Sequence, residues 1–415
     1  MKVKLNIGKT HQYLEVSDKA AVSILQKKEL TFSKKGVDAV EDSLDYPLGT
    51  LKLEEIVKPG EKIVIVTSDV TRPMPSDKVL PSILERLYKA GCKKEDISIV
   101  FALGSHRRQS KEEMIQLVGK EVYESVKCLD GDMEDVVHMG RTSAGTPVDI
   151  VRVVAEADRR ICLGNIEYHY FAGYSGGAKA IMPGVSTRKA IQSNHSKMVH
   201  RRAVAGNLDD NPVRIDLEEA IHYCPIDFIC NVILDENKEI IYSVAGDYIK
   251  AHRHGADILD TIYCAEIDQK ADIVVVSQGG SPKDSNLYQT QKALDNAKHA
   301  IKKDGIIILL GSCEEGMGDE VFEDWMLKAK SPQDLINRIE KKFKLGGHKA
   351  AAIGLVLEEA EIYLVSEMEK DFVESIFMTP FASVQAAYDR ARKKFEKEAT
   401  VIVMPYGGSV LPRLK

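Results

Sequence analysis

The stretch Gly164-Asn-Ile-Glu-Tyr-His-Tyr-Phe-Ala-Gly-Tyr-Ser-Gly-Gly-Ala-Lys-Ala-Ile-Met-Pro-Gly184 sets an imidazole, His169, ten residues before an amine, Lys179. Gly173, Gly176, Gly177 and Gly184 crowd around that amine. Such glycines let backbone N–H groups close on an anion, or let a ligand approach the main chain. Lys179 lies between Gly177 and a short apolar run, where desolvation could lower its pKa and make it a nucleophile. The spacing is neither G-x-x-x-x-G-K-[ST] nor G-x-G-x-x-G, so no standard nucleotide loop is expected.

Three further stretches carry reactive groups. Ser68-Asp-Val-Thr-Arg-Pro-Met-Pro75 places the Asp69 carboxylate three residues before the Arg72 guanidinium, with two prolines stiffening the exit. Arg72 suits a carboxylate or phosphate, because its fork meets two oxygens at once; an Asp69–Arg72 ion pair shaping a turn fits the spacing equally well. Ala102-Leu-Gly-Ser-His-Arg-Arg108 puts His106 in a Gly-Ser turn directly after a run that reads as a strand. Val185 to His195 reads as a helix with Ser186 as N-cap and His195 in its last turn. There is no H-x-x-x-H or C-x-x-C pair near His195, which argues against a closed structural zinc site. Finally, Gln278-Gly-Gly-Ser-Pro-Lys-Asp-Ser-Asn-Leu-Tyr-Gln-Thr-Gln-Lys292 leads from a turn into a helix. Tyr288, Gln289 and Lys292 occupy its first turns, with Tyr288 and Lys292 four apart on one face. A solvated polar face is the plainer reading of that spacing.

These groups need elements to place them. Short β-branched runs recur: Lys62-Ile-Val-Ile-Val-Thr67, Ile97–Ala102, Ile273–Ser277, Gly305–Leu310 and Thr400–Met404. Continuous apolar runs of this length read as strands covered on both faces, as in parallel sheets. Helical periodicity lies between them, at Ser76 to Gly91 with Ser76 as cap, Tyr288 to Ile301, Ser331 to Phe343 and Ser383 to Phe395. The alternation predicts an α/β fold: two α/β domains with mostly parallel sheets and an active-site cleft between them. In such sheets ligands bind beyond the carboxyl ends of strands, where Asp69, His106 and the Lys179 loop fall. The break near Glu266–Ala271 divides an N-terminal domain, 1–268, carrying the chemistry, from a C-terminal domain, 272–399. Residues 400–415 could cross back to the first.

Composition bounds the rest. The chain has 415 residues, 57 Lys plus Arg against 63 Asp plus Glu, and is 44% hydrophobic. That is long enough for large cores without staples, and it excludes a disordered or disulfide-knotted chain. A net charge of −6 gives no general attraction to nucleic acid. No run of 18 apolar residues and no N-terminal apolar signal region occur, so no membrane is expected. Seven cysteines in mostly apolar settings read as buried, reduced thiols of a cytoplasmic protein.

Taken together, Asp69-Val-Thr-Arg-Pro73, Gly104-Ser-His-Arg107, His169 through Lys179-Ala-Ile-Met-Pro-Gly184, Asn194-His195 and Tyr288-Gln-Thr-Gln-Lys292 resemble the nickel-pincer lactate racemase family, in order and spacing over nearly the whole chain. The resemblance implies nickel and a pyridinium-3,5-bisthiocarboxylic acid mononucleotide, attached to Lys179 and supplied by separate cofactor-biosynthesis enzymes. His195 would be the protein's nickel ligand, with Asp69 and Arg72 beside the cofactor. His106 and His169 would be the acid/base pair, and Arg72, Tyr288, Gln289 and Lys292 would meet the substrate. The implied activity is inversion of C2 of a 2-hydroxy acid by proton-coupled hydride transfer through a 2-oxo acid. The residues suit that chemistry: the hydroxyl proton must leave with the hydride, two enantiomers present the oxygen differently, and imidazole serves as base and then acid near neutrality. Two other readings stand beside it, a Schiff-base lyase or aldolase at Lys179 and a non-catalytic anion- or metal-binding protein.

Overall fold

Ile63-Val-Ile-Val-Thr-Ser68 is β-branched at five of its six positions, which stiffens χ1 and favours the extended chain. In the computed structural model, which describes residues 1–16, 21–395 and 398–415, this segment is a central strand. It runs parallel to Ile97–Ala102 on one side and to Arg159–Asn165 on the other, with Ile65 opposite Ile99 and Ile161. Lys127–Asp130 extends the sheet at one edge. Phe228–Leu234 and the antiparallel strand Ile240–Gly246 complete its other side. Ile63, Ile65, Ile97, Ile99 and Ile161 are each at most 2% exposed, so one face of the sheet is sealed, with Leu80, Ile83 and Leu87 of the helix Ser76–Lys89 in the same core. This sheet belongs to a compact unit spanning Leu30–Asp260.

The second unit is Met1–Glu29 together with Thr261–Lys415. Its sheet is parallel throughout, in the order Thr379–Phe381, Ala360–Val365, Ile301–Leu310, Ala271–Ser277, Val401–Met404 and Val22–Ile24. An N-terminal hairpin, Lys2–Ile7 with Thr10–Glu15, buries Val3, Leu5 and Leu14 in the same core as Ile273, Val275 and Ile308. Both units are therefore α/β with mostly parallel sheets, as the alternation of runs and helices implies.

The domain limits differ from the expectation drawn from the sequence. The division falls at 29/30 and 260/261, so the N-terminal segment sits with the second unit and not with residues 30–260. Residues 400–415 lie in this second unit: Val401–Met404 pairs with Ala271–Ser277, and Leu411–Leu414 pairs with Cys264–Ile267. The reason is burial. The hairpin's apolar face, alternating in Val3, Leu5 and Ile7, carries no local mark of which core it must cover.

Two helix caps also move. Ser76 lies inside its helix, where its hydroxyl meets Thr67 Oγ1 at 2.7 Å. The helix Arg188–His195 is capped by Thr187, whose Oγ1 accepts the Ala190 N–H, while Ser186 donates to the Ile181 carbonyl. The cysteines are free thiols, all buried except the half-buried Cys128. Among the described residues no helix is long and apolar enough to cross a membrane.

Candidate active site

The loop after Ile63–Ser68 meets the loop after Ile97–Ala102 through a carboxylate. Asp69, 2% exposed, accepts Nδ1–H of His106 at 2.7 Å and the hydroxyl of Thr71 at 2.7 Å. Asp69 thus pairs with His106, 37 residues away, and its side chain does not bond Arg72; Arg72 only closes the turn through its N–H to the Asp69 carbonyl at 3.1 Å. Burial works to raise the Asp69 carboxyl, but the hydrogen bonds and charge of His106, with Thr71 and Arg72, hold it below the usual carboxylate range. With Nδ1–H given to Asp69, the His106 ring carries its lone pair on Nε2, the arrangement of a base oriented by a carboxylate. Gln109 fixes the loop from behind: its Oε1 accepts the Val70 N–H, and its own N–H groups bond Asp130 at 2.8 and 3.0 Å.

The Lys179 loop leaves the strand Arg159–Asn165, makes a two-rung hairpin that pairs His169 with Gly173, and enters a 3-10 turn at Gly177–Ala180. Four fully buried side chains from distant segments grip its main chain. Asn211 donates to the Phe171 carbonyl at 2.9 Å; Arg214 donates to the carbonyls of Ala172, at 3.1 Å, and Tyr174. His252 donates Nε2–H to the Ser175 carbonyl at 2.8 Å, and Asn231 accepts the Gly177 N–H at 2.8 Å. Gly177 has φ +58°, and a Cβ there would stand 2.8 Å from the His252 ring, so only glycine fits. Gly104 donates to the Gly184 carbonyl at 2.9 Å, which ties the His106 turn to the end of the Lys179 loop.

This setting disfavours positive charge. Burial, then Arg214 and Arg72, push the Lys179 ammonium well below its usual range, with Glu167 opposing. Burial, with Lys179, His195, Arg72 and Arg214, likewise holds His169 well below the ordinary histidine value. Its Nδ1 accepts the Ala172 N–H at 3.3 Å, which puts the ring proton on Nε2. The ring stacks on Tyr170 at 5.4 Å and meets the edge of Phe171 at 4.5 Å.

Phe171 also touches His195, ring centres 4.9 Å apart, so one buried phenyl ring spaces the two imidazoles. His195 is 8% exposed and gives Nδ1–H to Asn194 Oδ1 at 2.9 Å. Asn194 cannot be flipped, because its Nδ2 donates to the Val213 carbonyl and to the buried Asp216. The chain Asp216–Asn194–His195 therefore fixes the tautomer and directs the Nε2 lone pair at whatever lies beyond the ring. Among the described residues no group of three or more His, Cys, Asp or Glu is placed to hold a metal ion.

Tyr288, Gln289 and Lys292 lie in the other unit, on the helix Leu287–Ala297, capped by Asn286. Tyr288 meets Phe322 edge-on at 5.8 Å and His348 at 6.3 Å. Trp325 is buried under the start of the helix Gly347–Leu357, where a Cβ on Gly347 would stand 2.6 Å from its indole. Gln109, Asn211, Arg214, Asp216, Asn231 and His252 escape a sequence reading, because each acts on backbone or on another side chain far away. The one local trace is Asn211-Pro212, a cap and first-turn pair whose Oδ1 accepts the Val213 and Arg214 N–H groups.

A carboxylate-anchored histidine and a charge-depressed lysine in strand-end loops, with a tautomer-fixed histidine at the end of a following helix, stand on an α/β fold of two units. Residues 7–206 match the family model for the lactate racemase N-terminal domain, and residues 267–411 match that for the lactate racemase C-terminal domain. A lactate racemase of Thermoanaerobacterium thermosaccharolyticum is 31% identical over all of this chain and 99% of its own length. One from Lactiplantibacillus plantarum is 33% identical over 90% of each. The lactate racemase apoprotein structure from T. thermosaccharolyticum superposes over the full length of both chains with TM-score 0.90 at 30% identity. A Thermotoga maritima crystal structure, 18% identical and covering 93% of this chain, shares the fold with TM-score 0.65. The chain belongs to the lactate racemase family, and its enzyme class is isomerase, a racemase.

Proposed function

We propose that the chain inverts C2 of a 2-hydroxy acid by hydride transfer, with a nickel-bearing pyridinium-3,5-bisthiocarboxylic acid mononucleotide joined to Lys179. The observation that carries this reading is the presence, around His169, of both Lys179, an amine driven toward its neutral, nucleophilic form, and His195, an imidazole whose Nδ1–H is fixed on Asn194. The residues fit such a group. His195 supplies one metal ligand, and a metal there would take its others from the cofactor. Arg72 and Arg214, the latter with its Nη1 3.6 Å from the Glu218 carboxylate, add positive charge near Lys179, which suits an anionic mononucleotide.

When bound, the group would accept the C2 hydride and return it, nickel tuning the ring that carries it. The chain's own residues handle the proton and the pose. His106 removes the hydroxyl proton of one enantiomer through Nε2, and Asp69 stabilises the imidazolium so formed. His169 serves the hydroxyl of the other enantiomer. Arg72 and Lys292 hold the carboxylate, and Tyr288 and Gln289 orient the planar 2-oxo acid while its second face is presented. Seven free thiols accord with a reducing, cytoplasmic setting.

Protein co-produced with the cofactor-assembly enzymes should carry extra mass and about one nickel per chain. It should interconvert enantiopure 2-hydroxy acids by chiral chromatography without washing the C2 hydrogen into deuterated solvent. Solvent exchange at C2, or full activity without nickel, overturns the reading. Trapping of Lys179 by borohydride with a carbonyl substrate would instead favour the lyase or aldolase.

A further inference from the structure

The four side chains that grip the Lys179 loop all take hold after His169: Asn211 at Phe171, Arg214 at Ala172 and Tyr174, His252 at Ser175 and Asn231 at Gly177. The hairpin that carries His169 has two rungs, Tyr168 opposite Tyr174 and His169 opposite Gly173. A two-stranded ribbon of that length does not hold its own geometry. One rung behind His169, a carboxylate oxygen ties the two strands together. Asp260 Oδ1 accepts the Tyr168 hydroxyl and the Tyr174 hydroxyl, each at 2.7 Å. The two rings lie 5.4 Å apart, as a cross-strand pair on one face of a ribbon does. Asp260 comes from the helix Lys250–Tyr263, which also supplies His252, and it lies with both tyrosines in the unit Leu30–Asp260. Side chains alternate along a strand, so Tyr168 and His169 leave the ribbon on opposite faces. Holding the tyrosine face therefore fixes the twist of the ribbon, and with it the direction of the imidazole.

We infer that Asp260 is a positioning residue for His169: through the Tyr168 and Tyr174 hydroxyls its carboxylate sets the angle at which that imidazole meets the substrate hydroxyl. The inference rests on the proposed function, in which His169 serves one enantiomer and His106 the other. His106 is set separately, by Asp69. Loss of Asp260 should therefore be felt by one enantiomer and not by its mirror image.

Steady-state kcat/KM must change equally in both directions, so the test reads the first half of the reaction. It uses holoenzyme from cells that also make the cofactor, with intact mass confirming that each variant is loaded. The probe is whichever of enantiopure lactate, malate and phenyllactate the wild type interconverts fastest. With enzyme in excess, the 2-oxo acid formed from each enantiomer is quenched and trapped as a hydrazone. Asp260→Ala should slow its formation from one enantiomer about tenfold or more, the same one that His169→Asn slows, and leave the other within about twofold. Asp260→Asn, which keeps an oxygen acceptor for both hydroxyls, should restore most of the rate. The double variant Tyr168→Phe/Tyr174→Phe, which keeps the rings, should reproduce Asp260→Ala. In the chain without substrate, hydrogen exchange should rise in Asp260→Ala over 166–175 and stay unchanged over the strand Phe228–Leu234. Equal slowing of both enantiomers, slowing of the one that depends on His106, or unchanged exchange over 166–175 sinks this inference and leaves the proposed function standing. If His169→Asn itself slows both enantiomers equally, or none of the three acids is interconverted, the proposed function fails and this inference with it.

Discussion

The proposed function gives His106 and His169 the same task, yet the chain places them in opposite surroundings. His106 sits in a turn with its side chain 26% exposed and its Nδ1–H fixed on a buried carboxylate. The Asp69 carboxylate, held ionised below the usual carboxylate range, is the charge that ring meets. His169 sits among Tyr170 and Phe171, accepts a backbone N–H at Nδ1, and faces Lys179, His195, Arg72 and Arg214. Charge is resisted there, and the ring presents a proton instead of a lone pair. One imidazole is thus set to take a proton while the other is set to give one, as inversion in a single turnover requires. The two enantiomers are equal in free energy, so kcat/KM must match in both directions. The asymmetry of the bases should appear in kcat and KM taken separately.

The largest effect should come from Lys179→Ala, which removes the proposed attachment point: the extra mass, the nickel and all activity should be lost by mass spectrometry, metal analysis and chiral assay. Next, His106→Asn and His169→Asn should each lower interconversion by about 10²–10⁴ while the cofactor mass stays. If either variant keeps more than about a tenth of the rate in both directions, the two-base scheme is wrong. Asp69→Asn should cost about 10–100-fold and shift the acid limb of the pH–rate profile, because only the His106 side loses its counter-charge. Asn194→Ala should weaken nickel retention about 10–100-fold, read by dialysis against a chelator, while Lys179 still takes up the organic group.

The smallest effect separates the two regions by acid sensitivity. His252, fully buried and held well below the ordinary histidine value by burial and Arg214, is neutral in the folded chain. The unfolded chain binds that proton below about pH 6.5, so stability falls as pH falls through that point, by at most about 1.4 kcal/mol per pH unit from this residue. His252→Asn, which keeps a donor for the Ser175 carbonyl, should flatten the decline of the urea midpoint between pH 7.5 and 5. The Asp69 contribution runs the other way in origin. Its carboxyl is depressed in the folded state, so that stability is present above about pH 4 and is lost only as pH drops further. A decline that is unchanged in His252→Asn would mean the clamp on the Lys179 loop does not hold a neutral ring.

Much of this was open to a reader of the sequence. Strand runs such as Ile97–Ala102 coincide with the observed elements, because a buried parallel strand needs a continuous apolar stretch that little else resembles. The loops that follow them hold Asp69, His106, His169 and Lys179, since parallel strands aim their carboxyl ends at one edge. The partner of Asp69 was not open in this way: Arg72 is three residues off and His106 is 37 off, and the geometry of two turns chose His106. The cap of the His195 helix passed from Ser186 to Thr187, because Ser186 satisfies the Ile181 carbonyl instead.

Residue type and local order settled the kinds of chemistry available, namely two imidazoles and an amine beside glycines, and the α/β alternation that exposes them at strand ends. Those properties are short-range, written in side-chain chemistry and in the periodicity of burial. Protonation state, tautomer and loop rigidity came from contacts between segments tens of residues apart: Asp69 on His106, Asp216 on the Asn194 that holds His195, and Arg214, Asn231 and His252 on the main chain around Lys179. Desolvation and hydrogen-bond direction depend on what surrounds a group in space, and that neighbourhood exists only once the chain has closed on itself.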